Sequence, residues 1–155
     1  MRYKAYLIQL VKKIAICSFV VQFALIALPF TAYYLTDTRN VELNRYVEDF
    51  EEEYGVYVNY PVGIGEIPES TSAVGACYSY GPGRSVVISE RYWDRATARD
   101  KKATVYHELG HCSLDKDHEE GDLEDGCPQS LMNPYTITEY CMEKHWKYYV
   151  EQLRS

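Results

Sequence analysis

Apolar positions over residues 41–54 recur with helical spacing, placing Leu43, Tyr46, Val47, Phe50 and Tyr54 on one face. Gly55 follows where a C-terminal cap belongs. Glu48, Asp49, Glu51, Glu52 and Glu53 crowd the later turns, where acids oppose the helix dipole, so they read as a solvated face. The period then changes. Val56-Tyr57-Val58-Asn59-Tyr60 alternates as a strand does, and a Gly-, Pro- and Ser-containing loop is expected from there through Ser72. Ala73–Tyr80 and Arg84–Ser89 read as two strands joined through Gly81-Pro82-Gly83, a hairpin. Helical pattern resumes near Trp93–Ala96 and is expected to run to about Leu114. Residues 115–130 read as an acidic loop. Thr136 to Leu153 reads as a last helix, with Ile137, Tyr140, Cys141, Tyr148 and Leu153 on its inner face. This order of elements predicts an α+β domain.

Residues 14–35 break the amphipathic pattern, with 22 consecutive uncharged and mostly apolar positions. Roughly 20 such residues span a bilayer as a helix. Arg2, Lys4, Lys12 and Lys13 precede the run and no acid occurs before Asp37. That asymmetry predicts an N-terminus inside and the body on the extracytoplasmic side. A cleaved signal peptide is the rival reading, but Phe30-Thr31-Ala32 is a poor small-x-small cleavage site. The expected organisation is therefore a cytoplasmic stub and transmembrane signal anchor over residues 1–35, then one domain over 36–155.

Charge narrows the partners. Without those four basic residues, 12 basic face 23 acidic side chains, a formal −11. Such a body repels phosphate, and no nucleic-acid partner is expected. Cysteine usage agrees with export. Cys17 lies in the apolar run, and Cys77, Cys112, Cys127 and Cys141 remain as an even set for two disulfides with three connectivities. The sixteen tyrosines read as amphipathic core and rim.

Three of the four histidines fall within twelve residues, in His107-Glu108-Leu109-Gly110-His111 and then His118. On a helix, residues four apart differ by about 40° around the axis, so His107 and His111 point the same way. Glu108 lies about 100° round from His107, placed to reach a water without ligating. Two imidazoles and an adjacent carboxylate are the parts of a zinc hydrolase: ligands, and a general base. Gly110 costs a helix about 1 kcal/mol against alanine, and is expected to leave room on the metal side. A third ligand is needed. A helix continued to His118 would carry it about 10 Å along the axis from His111, too far to share an ion. The chain must therefore turn back soon after Leu114, with Asp115, Lys116 and Asp117 as turn candidates because Asp tolerates the left-handed conformation.

At this point the sequence resembles the metzincin metallopeptidases, whose motif H-E-x-x-H-x-x-G-x-x-H is followed by a methionine-containing turn. Here His107-Glu108-x-x-His111 is followed by Ser130-Leu131-Met132-Asn133-Pro134. Two departures are visible: Leu114 stands at the glycine position, and His118 comes one residue late, with Asp117 in the standard place. His118 is taken as the third ligand and Asp117 as the alternative. The stretch is also similar to small metzincin-like peptidases that carry H-E-L-G-H-C and C-x-S-[IL]-M, matched here by His107 to Cys112 and Cys127 to Met132. The resemblance implies a small mixed sheet, an active-site helix, a methionine turn with Met132 beneath the metal, and a closing C-terminal helix. It implies Zn2+ as cofactor, a peptide or protein substrate, and Tyr135 as a candidate oxyanion stabiliser. Within that layout a Cys77–Cys112 bridge would pin helix to sheet, and Cys127–Cys141 would tie the turn to the last helix.

Two alternatives stay open. A gluzincin-type peptidase would draw its third ligand from Glu139 or Glu143 on the last helix. A non-catalytic, zinc-stabilised ectodomain would serve as a binding module, though such a site has no use for Glu108. His145 reads as a surface or rim residue.

Overall fold

In the computed structural model, which describes residues 38–155, four helices flank a three-stranded sheet. The elements are α1 (Thr38–Tyr54), β1 (Val62–Gly65), β2 (Gly75–Tyr80), β3 (Gly83–Ser89), α2 (Glu90–Trp93), α3 (Ala98–Leu114) and α4 (Glu139–Leu153). The apolar segment 14–35 and the expected boundary after residue 35 lie outside the described residues. Among the described residues no helix is long and apolar enough to cross a membrane. Residues 42–155 form one compact unit, and the contacts below lie within it.

The sheet is mixed and ordered β1-β3-β2. β2 and β3 pair antiparallel about the expected turn, with Tyr80 opposite Gly83. β1 runs parallel to β3, Val62 opposite Val86. This corrects the sequence reading, which put a strand at 56–60 and a loop at 62–65. The alternation was real: Val56, Val58 and Tyr60 pack toward the core while Tyr57 and Asn59 face solvent. Yet residues 56–60 form no ladder. The edge of β3 is taken instead by Val62–Gly65, entered where Val86 N–H donates to Pro61 O at 2.9 Å. Period two specifies an extended chain with one buried face, and only a partner makes it a strand.

α1 buries Leu43, Tyr46 and Phe50, the expected face. Gly55 takes φ +64° as its N–H bonds Glu51 O. Not all of its acids are solvated: Asp49 pairs with Lys102, and Glu51 accepts from Val58 N–H. The helix expected from near Trp93 starts only at Ala98, and a separate short helix, α2, ends at Trp93. Thr97 and Asp100 form a reciprocal capping box that starts α3 afresh after α2. α4 likewise starts at Glu139 rather than Thr136, because the Thr138 side chain accepts from Cys141 N–H. Its buried face is Cys141, Met142, Tyr149, Val150 and Leu153, so Tyr140 and Tyr148 point outward, against expectation.

α3 crosses β2 and β3 and packs against α4. Phe50 meets Tyr106 edge-on at 5.1 Å, and Tyr106 lies tilted against Trp146 at 5.4 Å, joining α1, α3 and α4. Several tyrosines act as polar staples of this core. Tyr46 donates to Ala98 O, Tyr54 to Val150 O, Tyr92 to Asp100 O and Tyr149 to Pro128 O, each within 3.2 Å. Disulfides Cys77–Cys112 and Cys127–Cys141 are present, with Cα separations of 5.7 and 5.5 Å. The first ties α3 to β2. The second ties the loop before the methionine turn to α4.

Candidate metal centre

α3 carries His107, Glu108 and His111 in its second half and ends at Asp115, which adopts the left-handed conformation (φ 52°, ψ 35°). Among the described residues it is the one non-glycine with positive φ. Lys116 N–H closes the helix end on Gly110 O at 3.1 Å, the carbonyl that the Asp115 N–H also meets. The chain thus reverses without a glycine at the turn and brings His118 back over its own helix.

The result is a convergence of three imidazoles. His107 Nε2 lies 3.1 Å from His111 Nε2 and 3.3 Å from His118 Nε2. One nitrogen from each ring falls within a 4.8 Å cluster. Ligands at about 2.0–2.1 Å from a tetrahedral ion are about 3.3–3.4 Å apart, so this spacing fits zinc. The opposite nitrogens fix the tautomers. His107 Nδ1–H donates to Leu131 O at 2.9 Å and His111 Nδ1–H to Lys116 O at 2.6 Å, leaving each Nε2 with a free lone pair. Burial holds the His107 imidazolium down to about pKa 4 and lowers that of His111, so both rings are neutral at pH 7.

Glu108 is buried beside this cluster, and burial pushes its carboxyl up to about 7, opposed by a hydrogen bond from the Cys77 backbone. Its room comes from a residue the sequence reading did not single out. A Cβ at Gly75 would lie 2.6 Å from Glu108 Oε1 and 2.7 Å from its Cγ. The clue was present as a glycine inside a predicted strand, which often marks close approach. Gly110 corrects another expectation. Its missing side chain makes room not for a metal but for Met132, whose Sδ would be 2.7 Å from an added Cβ.

Met132 is buried under α3, and its turn holds two histidine-bearing segments at once. Leu131 O receives His107, and Met132 O receives Glu119 N–H at 3.0 Å, next to His118. Buried Ser130 donates to Gln152 of α4 at 2.9 Å and accepts from Met132 N–H.

One cleft of 1160 Å³ contains the histidines and Glu108, with Gly75–Cys77 along one wall and Asn133–Ile137 among its other lining. Asp117 and Tyr135 line it too. Asp117 is not within the converging cluster, and Tyr135 is 76% exposed. Glu139 and Glu143 are elsewhere, facing Arg99 at 3.7 and 3.9 Å, so the gluzincin arrangement finds no third ligand there. A second cluster, Asp125, Cys127 and His145, is closed to metal because Cys127 is in a disulfide. His145 instead meets Asp125 at 2.7 Å, at the rim.

A family model described as "Putative phage metallopeptidase" matches residues 64–152 of this chain. That span begins in β1, contains the three histidines and the methionine turn, and reaches the end of α4. No curated protein and no solved structure matches the chain.

Proposed function

The chain belongs to the family described as "Putative phage metallopeptidase", and from that premise we propose that it is a zinc-dependent endopeptidase with a metzincin-like centre. The observation that carries this reading is the convergence of His107, His111 and His118 through Nε2, with two tautomers fixed by backbone carbonyls. These three residues would hold the ion, and the donor set of neutral imidazoles suits zinc. When bound, zinc would polarise the scissile carbonyl and make a water acidic enough to ionise near neutrality.

The chain's own residues supply the rest. Glu108, its ordinary acidity weakened by burial, takes the proton of the attacking water and returns it to the leaving amine. Gly75 and the Cys77 N–H hold that carboxylate in place. Tyr135, on the cleft lining, donates its phenol O–H to the developing oxyanion. β2 is an edge strand beside the cleft, which supports an extended peptide as substrate. Residues 14–35 are proposed as a membrane anchor on the strength of their sequence alone, holding the domain outside.

The test is zinc stoichiometry together with cleavage of an unfolded protein. One zinc per chain, chelator-sensitive cleavage, and loss of cleavage with zinc retained in Glu108→Gln are expected. Zinc uptake with no turnover that depends on Glu108 would leave a non-catalytic, zinc-stabilised module instead.

A further inference from the structure

The turn that delivers His118 is built on an aspartate, which takes the left-handed conformation more readily than most residues but less readily than glycine. Asp115 holds φ 52° where glycine would sit without strain. β3 reaches across to brace it there. Arg84 Nη1 donates to Cys112 O, one of the last carbonyls of α3, and Nη2 lies 2.8 Å from Asp115 Oδ1. The planar guanidinium thus spans the helix end and the left-handed residue after it, as a lysine ammonium could not. Cys112 is also bridged to Cys77, so the residue whose carbonyl Arg84 grips is tied to the sheet.

The carboxylate of Asp115 is 80% exposed, and an exposed ion pair adds little to global stability. Its effect is local. The next residue, Lys116, makes both bonds that matter: its N–H closes on Gly110 O, and its carbonyl takes His111 Nδ1–H. Two residues on is His118.

We infer that Arg84 is a positioning residue of the metal centre, holding the non-glycine turn at Asp115 so that Lys116 O meets His111 and His118 returns over α3. This rests on the zinc reading above for what the turn serves, but not for the turn itself.

Arg84→Met, Asp115→Gly and the double variant test it, in the full chain with disulfides intact. Two readouts are needed: amide exchange in metal-free protein at Lys116 and, as a control, Val105, and zinc affinity by competition with a chelator. Arg84→Met is expected to speed exchange at Lys116 but not at Val105, and to weaken zinc binding by about tenfold, the usual scale for an outer-shell partner. Adding Asp115→Gly should restore both, since glycine holds the turn unaided. An unchanged Lys116 amide, an equal rise at Val105, or a loss that Asp115→Gly does not repair overturns the assignment. Failure of the unmodified chain to take up zinc overturns the zinc reading instead, and the exchange data distinguish the two.

Discussion

Gly110→Ala has a sign that depends on whether the site is read locally or in three dimensions. Alanine is worth about 1 kcal/mol over glycine inside a helix, so helix propensity alone forecasts stabilisation. The structure forecasts the reverse. The new Cβ would stand 2.7 Å from Met132 Sδ and 3.3 Å from Leu153 Cδ1. Ordinary contacts sit near 3.5–4.0 Å, so the thioether would have to retreat by about 1 Å. Met132 and Leu153 are both fully buried, leaving little space to retreat into. Overpacking of this kind costs about 1–3 kcal/mol, and after the propensity gain a net loss of about 1 kcal/mol remains. For a domain near this size that lowers the thermal midpoint by about 4 °C. The assay is thermal unfolding with chelator present and disulfides intact, repeated in a Met132→Ala background. With the thioether gone, Gly110→Ala should turn stabilising, giving a coupling of about 2 kcal/mol. A raised midpoint for Gly110→Ala in the unmodified chain would refute the claim that this glycine exists to seat the methionine turn.

Gly75→Ala should lower kcat/KM by about a hundredfold or more with zinc content unchanged, because the added methyl displaces the Glu108 carboxylate; unaltered cleavage would remove Gly75 from the site. Glu108 should make metal-free stability fall with pH: a carboxyl raised in the folded state from 4.5 to about 7 contributes fully below pH 4.5 and loses about 3 kcal/mol as pH rises through 7. Denaturant titrations of the unmodified chain minus Glu108→Gln isolate this slope, which His107, held down to about 4, opposes in the unmodified chain; a flat difference contradicts the burial. Tyr135→Phe should cut kcat about tenfold with KM unchanged, a modest loss for an oxyanion donor because the ring is 76% exposed; no change in kcat makes it a rim residue.

Much of the site could be read from local spacing. The i, i+4 histidines, the buried face of α1 and the need for a reversal before His118 all follow from helix geometry, and Asp115 was among the residues fit for that turn. What escaped depends on contacts between distant segments. Val56–Tyr60 is by pattern the better strand, and the two glycines of Val62–Gly65 disfavour one, yet the second run takes the open edge of β3. The Thr97–Asp100 capping box divides what is, by apolar period alone, one helical stretch, and the similar Thr138 cap shifts the start of α4. Gly75, Arg84 and the Leu131 carbonyl act on α3 from residues 24 to 33 positions away, and no periodicity encodes them. Their roles appear only once the sheet and the methionine turn are packed against the helix.

The identity of the third ligand bears most directly on the account. Zinc affinity should be measured for the unmodified chain, His118→Ala and Asp117→Ala under one set of conditions. The geometry predicts one zinc per chain, loss of about a hundredfold or more in His118→Ala, and little change in Asp117→Ala. The reverse order, with Asp117 indispensable and His118 dispensable, would contradict it.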